Sequence, residues 1–378
     1  MKKYVVMIAA VALTACEPPK HCDDSGHACT WLGIPGSVGF NGDGLDRLST
    51  KIYWAMDMLF AADGTPWFID WNNHLVRTVE ADGKVKTRVG WVDPVFPGDG
   101  APAEAMGGAV GTDVQLNHPT DLAQLSDGTM LIMAWHNHKL RKIDAAGKVS
   151  IVSGAGAGYF GDGTPVRSAL FKQPKALVVD AQDNQYILDQ QNFRIRKISP
   201  AGVITTIAGN GLQASTGDDG PALMASLHFE AGSNPEPSGG LALKDGKLYI
   251  AETETHRIRV IDLTTNIISA FAGTGTQGSS GDDGPALQAQ FFHPRDLEFG
   301  PDGRLYVADT DNSRVRAIDL TTGVVTTVVG TSEAGLDEND DLLATKTKLK
   351  RPFGIEFDPQ GNLYVSDTIN SRILRVAK

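Results

Sequence analysis

The stretch Asp309-Thr-Asp-Asn312-Ser-Arg314-Val-Arg316 decides the fold, because five other segments follow its pattern. Close copies are Asp70-Trp-Asn-Asn73-His-Leu75-Val-Arg77, Asp189-Gln-Gln-Asn192-Phe-Arg194-Ile-Arg196, Glu252-Thr-Glu-Thr255-His-Arg257-Ile-Arg259 and Asp367-Thr-Ile-Asn370-Ser-Arg372-Ile-Leu374. A degenerate sixth is Ala134-Trp-His-Asn137-His-Lys139-Leu-Arg141. Fifteen residues before each leading residue stands Pro119, Pro174, Pro237, Pro294 or Pro352, with Ala55 in the first copy. The leading residues are 64, 55, 63, 57 and 58 positions apart, so all length variation falls between the Arg and the next Pro. A fixed module joined by one variable loop is the sequence form of a repeat architecture.

Inside the module the period is two. In the fifth copy Asp296-Leu-Glu-Phe299, Leu305-Tyr-Val-Ala308, Arg314-Val-Arg-Ala-Ile318 and Val324-Val-Thr-Thr-Val-Val329 are separated by Pro301-Asp-Gly303, the Asn312 turn and Thr321-Thr-Gly323. Short runs rich in β-branched and aromatic residues, punctuated by Gly, Asp and Asn, predict strands. Four strands repeated six times predict an all-β, six-bladed β-propeller of four-stranded antiparallel blades. The last copy ends at Lys378 after its third strand, whereas Ala28-Cys-Thr-Trp-Leu-Gly33 resembles the fourth strands Ile204–Gly209 and Val149–Gly154. The N-terminal strand is therefore expected to complete the last blade and remove an open sheet edge.

Outside the repeats, Lys2 and Lys3 precede an apolar run from Val5 to Leu13, of signal-peptide length and too short to span a bilayer. Leu13-Thr14-Ala15-Cys16 resembles the lipobox of bacterial lipoproteins, which implies cleavage before Cys16 and lipidation there. The expected divisions are a signal peptide over 1–15, a lipid-anchored tether over 16–27 and the propeller over 28–378. The membrane would then be a partner through the lipid, in the bacterial cell envelope. Glu17 in place of Asp leans this towards the outer membrane. Cys22 and Cys29 remain as an even pair, a disulfide or two free thiols. A net charge of −11 excludes a general nucleic-acid binder, and a monomeric chain is expected.

The repeated motif, with its Gly-Asp-Gly-Pro-Ala loops, resembles the NHL repeat and the NHL domain of teneurins and their bacterial relatives, over roughly residues 28–378. It departs from that pattern at Ala134, Ala55 and Arg88, in blades 1 and 2. The recurrent Asp, Asn and Arg are read as structural: Asp and Asn capping the turn between the second and third strands, Arg bridging back to the carboxylate. Two motifs are set aside. Gly156-Ala-Gly158-Tyr-Phe-Gly161 is not followed by a helix, and Asp337-Glu-Asn339-Asp-Asp341 lacks the Gly and Glu of a calcium loop, which leaves a solvated acidic loop.

Function is expected where loops vary on a rigid scaffold. Blade connections and turns between strands two and three should share one face, which carries the insertions Trp91–Gly111 and Gly211–Gly240. All six Trp fall before residue 136, and Trp71, His74, Trp135, His136 and His138 occupy the turns of blades 1 and 2. They are candidates for a protein, peptide or glycan ligand. The sharpest constellation is His-Pro-x-Asp in blades 2 and 5, His118/Asp121 and His293/Asp296, with Asp57 at the same register in blade 1. Imidazole and carboxylate facing each other across the channel mouth suit a divalent cation such as calcium or zinc. Six-bladed lactonases and the NHL-type amidating lyase, which hold a metal near this axis, make a metal-assisted hydrolase or lyase the alternative to a binding module. A passive envelope scaffold is the third reading.

Overall fold

The structure is a computed structural model that describes residues 22–92, 108–154 and 156–378. The signal peptide, Cys16 and most of the insertion after Trp91 lie outside the described residues. Six antiparallel sheets form the ring. Their inner strands are Ala55–Phe60, Pro119–Gln124, Pro174–Val179, Gly240–Lys244, Pro294–Phe299 and Pro352–Phe357, which define blades 1 to 6. Two-residue strands add a fifth, outer member to blades 2, 4 and 6.

In blade 4 the proline keeps its offset but lies outside the inner strand. There the inner strand opens three residues beyond Pro237. Side chains take the backbone donors of the chain leading in, Gln190 from Ser238 N–H at 3.1 Å and Thr253 from Gly239 N–H at 2.8 Å, so ladder pairing begins later.

Closure follows the expectation. His27–Leu32 pairs antiparallel with Arg372–Val376, Thr30 opposite Leu374. Cys22 and Cys29 are disulfide-bonded, which ties the entering chain to this strand. The acidic loop at 337–341 is not merely solvated. Asp340 accepts the Thr30 N–H at 2.9 Å, and Asp341, whose side chain is 9% exposed, meets His27 Nδ1 at 2.9 Å. Carboxylates that satisfy an edge strand from outside act as a clamp, a role no local motif announces.

Core side chains gather in six clusters, one at each blade boundary, from Met56, Ile69 and Leu122 between blades 1 and 2 to Leu32, Phe68 and Tyr364 between blades 6 and 1. Both faces of each blade are covered, which is why the strands read as near-continuous apolar runs. The glycine ending each fourth strand is required. Gly154 has φ +103°, and a Cβ there would lie 2.2 Å from the His138 carbonyl oxygen.

The repeated Asp, Asn and Arg are structural, though their wiring differs from the expectation. Asp70 does not cap the turn after it. Its carboxylate accepts the Tyr53 N–H at 2.7 Å, the Asn73 amide at 2.9 Å and Arg77 at 3.2 Å. Arg77 also reaches Asp43 of the Gly-Asp loop at 3.1 Å. The same arginine-to-loop bond recurs at Arg196–Asp162, Arg259–Asp218 and Arg316–Asp282. Each buried guanidinium thus pins the blade-connecting loop to its blade. Where Ala134 removes the carboxylate, Asn137 Oδ1 takes over, accepting Asn117 N–H and Arg141, each at 2.9 Å.

Candidate functional site

The residue before each inner strand sets the mouth of the channel. Trp54, His118, Gln173, His293 and Arg351 all have φ between +49° and +68°. This left-handed step turns their side chains away from the strand that follows and towards the turns of the adjoining blades. His74 Nδ1 accepts the His118 N–H at 3.1 Å, His138 Nδ1 that of Gln173 at 3.0 Å, and His256 Nδ1 that of His293 at 3.3 Å. His74 and His138, candidates for ligand contact, therefore latch each blade to the next. Burial pushes His74 down to about 4, so it accepts as neutral imidazole.

Blades 1 and 2 build an aromatic cluster on this face. Trp54 and Trp71 stack at 5.9 Å and 12°, Trp71 lies 4.4 Å from His118, and Trp135 stacks on His136 at 4.1 Å and 19°. Trp54 was not among the sequence candidates. Its signal was position, since it stands where His118 stands in the next blade. Trp135 is corrected in the other direction. It is 1% exposed and donates its indole N–H to Gln190 at 3.1 Å, so it supports the cluster from beneath and offers no open face. His118 is pushed to about 3 by burial and by His74 and His136, and His136 to about 4 by burial and by His138 and His74.

The cation set read from the sequence separates into three places. No three of Asp57, His118, Asp121, His293 and Asp296 bring ligating atoms within 4.8 Å of one another. The aspartates lie deeper, on the inner strands, where each accepts a backbone N–H from another blade: Asp57 from Leu122 at 3.1 Å, Asp121 from Leu177 at 3.0 Å, Asp296 from Ile355 at 2.9 Å. Three residues along a strand is enough to move a side chain from the mouth to the channel wall, and that separates each His from its Asp.

Glu298 and Glu356 join the aspartates around a cavity of about 300 Å³. Period two places Glu298 on the same side as Asp296, a signal the sequence did contain. Burial raises Asp121 to about 7 and Asp296 to about 6, with Lys175 opposing in both. Burial and the Asp296 charge raise Glu298 to about 8. Asp57 and Glu356 are also raised well above the carboxylate range, by burial and then by neighbouring carboxylates. Above this level, Lys175 of blade 3 donates to the Arg295 carbonyl of blade 5 at 3.2 Å, a bond that reaches past blade 4 inside the channel.

The half of the mouth on blades 4 to 6 is charged. Glu236 meets Arg295 at 2.7 Å and Arg351 at 2.6 Å, Arg351 meets Asp311 at 2.7 Å, and Asp311 meets His293 Nδ1 at 2.5 Å. His293 therefore belongs to an ion-pair network rather than to a partnership with His118.

Comparison with known proteins agrees with this architecture. Residues 291–318 match the NHL repeat, so the chain is an NHL-repeat-bearing six-bladed propeller. It is 28% identical over 67% of its length to protein SUPPRESSOR OF QUENCHING 1, chloroplastic, of Arabidopsis thaliana, covering 24% of that protein. It is 29% identical over half its length to NHL repeat-containing protein 2 of Bos taurus, covering 29% of it. Teneurin-m of Drosophila melanogaster is 25% identical over 58% of the chain, which spans 8% of that protein. The chain thus spans less than a third of each of these relatives. Among solved structures, a protein of unknown function from Bacteroides thetaiotaomicron superposes with TM-score 0.68 at 20% identity, over 93% of this chain and 75% of that one. An auxiliary nutrient binding protein from Bacteroides ovatus gives 0.65 at 15% identity, over 94% and 77%. Both likenesses are of fold.

Proposed function

We propose that this protein is a lipid-anchored envelope propeller that binds a ligand or protein on the aromatic half of its loop-rich face. One observation carries the reading: at the turn position where blades 3 to 6 place Gln190, Thr253, Thr310 and Thr368 in framework hydrogen bonds, blade 1 has Trp71, whose buried indole N–H has no partner among the described residues. Trp71 and Trp54 are half-buried, and half-exposed stacked indoles beside neutral imidazoles supply binding area at small entropic cost. That an auxiliary nutrient binding protein has this fold is compatible with such a role. The lipobox at Cys16 supplies the anchor.

Retention of labelled envelope fractions by the immobilised protein tests the binding half. Trp71→Ala should lower retention at least tenfold while Arg351→Gln, on the charged half, leaves it intact. Equal retention by wild type and Trp71→Ala would remove this face as the binding surface. Cys16→Ser should move the protein from membranes to the soluble fraction, and persistence on washed membranes would end the anchor reading.

A further inference from the structure

The rings of His118 and His136 face each other through the same atom. His118 Nδ1 lies 2.9 Å from His136 Nδ1 and 2.7 Å from Asn117 Oδ1, while His118 Nε2 lies 3.2 Å from Asn72 Oδ1. With the His118 proton on Nε2, facing the Asn72 carbonyl oxygen, the Nδ1 lone pair points at two further electron-pair donors. A proton on His136 Nδ1 relieves one of these contacts and leaves His118 Nδ1 and Asn117 Oδ1, both electron-pair donors, 2.7 Å apart, whereas a cation among the three atoms relieves both.

We propose that His118 Nδ1, His136 Nδ1 and Asn117 Oδ1 form a binding site for a divalent transition metal of tetragonal preference, Cu(II) or Ni(II). Two donors about 2.0–2.1 Å from a metal lie about 2.8–3.0 Å apart when they subtend a right angle, and about 3.3–3.4 Å apart at the tetrahedral angle. The 2.9 Å edge lies in the right-angle range and the 2.7 Å edge just below it, both well short of the tetrahedral edge, which favours tetragonal Cu(II) or Ni(II) over tetrahedral zinc. Imidazole nitrogen with an amide oxygen is also a donor set these ions accept.

The site is built before any ion arrives. His74 holds the His118 backbone, Trp71 lies 4.4 Å from the His118 ring, and Trp135 is stacked 4.1 Å beneath His136. Asn72 on Nε2 is the outer hydrogen bond that fixes tautomer and ring orientation in histidine metal sites. The side chains of His118 and His136 remain half-buried rather than sealed, which leaves an entry path.

Calorimetric titration of the untagged protein with Cu(II) and Ni(II), with electron paramagnetic resonance of the copper form, tests this. One Cu(II) per chain with two coupled nitrogens is expected, and His118→Ala or His136→Ala should weaken binding at least tenfold and leave at most one coupled nitrogen. His256→Ala, at the latch of the charged half, should bind as wild type does. His136→Gln keeps polarity and size and carries the test if the alanine variant loses its melting transition. Binding by wild type that matches His136→Gln, or no stoichiometric binding by wild type, would overturn the site. The site stands apart from the ligand reading of the same half, because envelope retention reports on Trp71 and Cu(II) stoichiometry on His118 and His136, so the failure of either leaves the other standing.

Discussion

His118 and His293 occupy the same place in blades 2 and 5, and two of the residues facing their rings are neutral in one blade and acidic in the other. Each is a left-handed residue ahead of the inner-strand proline, and each donates its backbone N–H to a turn histidine, His74 or His256. Each ring then meets the third residue of its own blade motif and that of the preceding blade. For His118 these are His136 and Asn72; for His293 they are Asp311 and Glu254, at 2.5 and 3.9 Å. Neutral groups in one half produce a buried, uncharged aromatic cluster, and carboxylates in the other recruit Arg351 and Arg295 into a network. One backbone geometry supports two chemistries, because side chains at the motif's third position are free of framework duties.

The largest effects should come from the framework beneath each half. Asp309→Ala in blade 5 leaves Arg314 and Arg316 without their buried carboxylate and should cost about 3–5 kcal/mol in denaturant unfolding. Asn137→Ala, its counterpart in blade 2, removes a neutral acceptor and should cost about 1–3 kcal/mol. Equal costs would mean that the neutral and charged halves are not built differently at their base.

Next comes the carboxylate level that underlies both halves. Asp121, Asp296 and Glu298 have folded pKa values of about 7, 6 and 8, above their ordinary range. A raised carboxyl pKa means the folded state holds protons longer than the unfolded chain. Its stability is full below about pH 4 and lost as pH rises through the folded value. The melting temperature should therefore fall between about pH 6.5 and 8, above the range in which His74, His118 and His136, held neutral in the fold, add stability as pH rises. Glu298→Gln and Asp121→Asn should each flatten that decline, and an unchanged slope in both would remove this level as its source. Below about pH 4 the sign reverses. Asp162 and Asp282 are lowered despite their burial, by threonine hydroxyl hydrogen bonds and by arginines, so they lose their contribution as they protonate.

A smaller change would convert one half into the other. His136→Asp should give His118 an anionic neighbour like that of His293 and move its titration upward from about 3, read by carbon-resolved NMR of the imidazole. A His118 that still titrates near 3 would show that burial alone governs the aromatic half. The smallest effect is expected from Arg351→Gln. Its pairs with Glu236 and Asp311 are partly exposed, and losing them should change stability by no more than about 1 kcal/mol.

Much of this was legible in one dimension. Order, spacing and period two are properties of the chain, so the blade count, the strand pattern and the role of His27–Leu32 in closure could be read from residues such as Asp309, Asn312 and the missing strand after Val376. Strand alternation is local, since each residue's face follows from its neighbours.

The partners of side chains at the mouth were not legible, because they come from other blades. Motif position separates His74, a latch, from His136, which faces His118 across a turn, but it names neither partner. Trp71 and Trp135 share a motif position, yet one lies on the face and the other beneath it, since the second is taken by Gln190 of the following blade. Asp340 and Asp341 became clamps only when the ring brought residue 27 beside residue 341. The chain by itself determined which residues recur and which side of a strand they take. Closing the ring decided who meets whom, because contacts between neighbouring blades join positions such as His138 and Gln173, 35 residues apart, or Asp57 and Leu122, 65 apart, or opposite ends of the chain, and no local interaction encodes that distance.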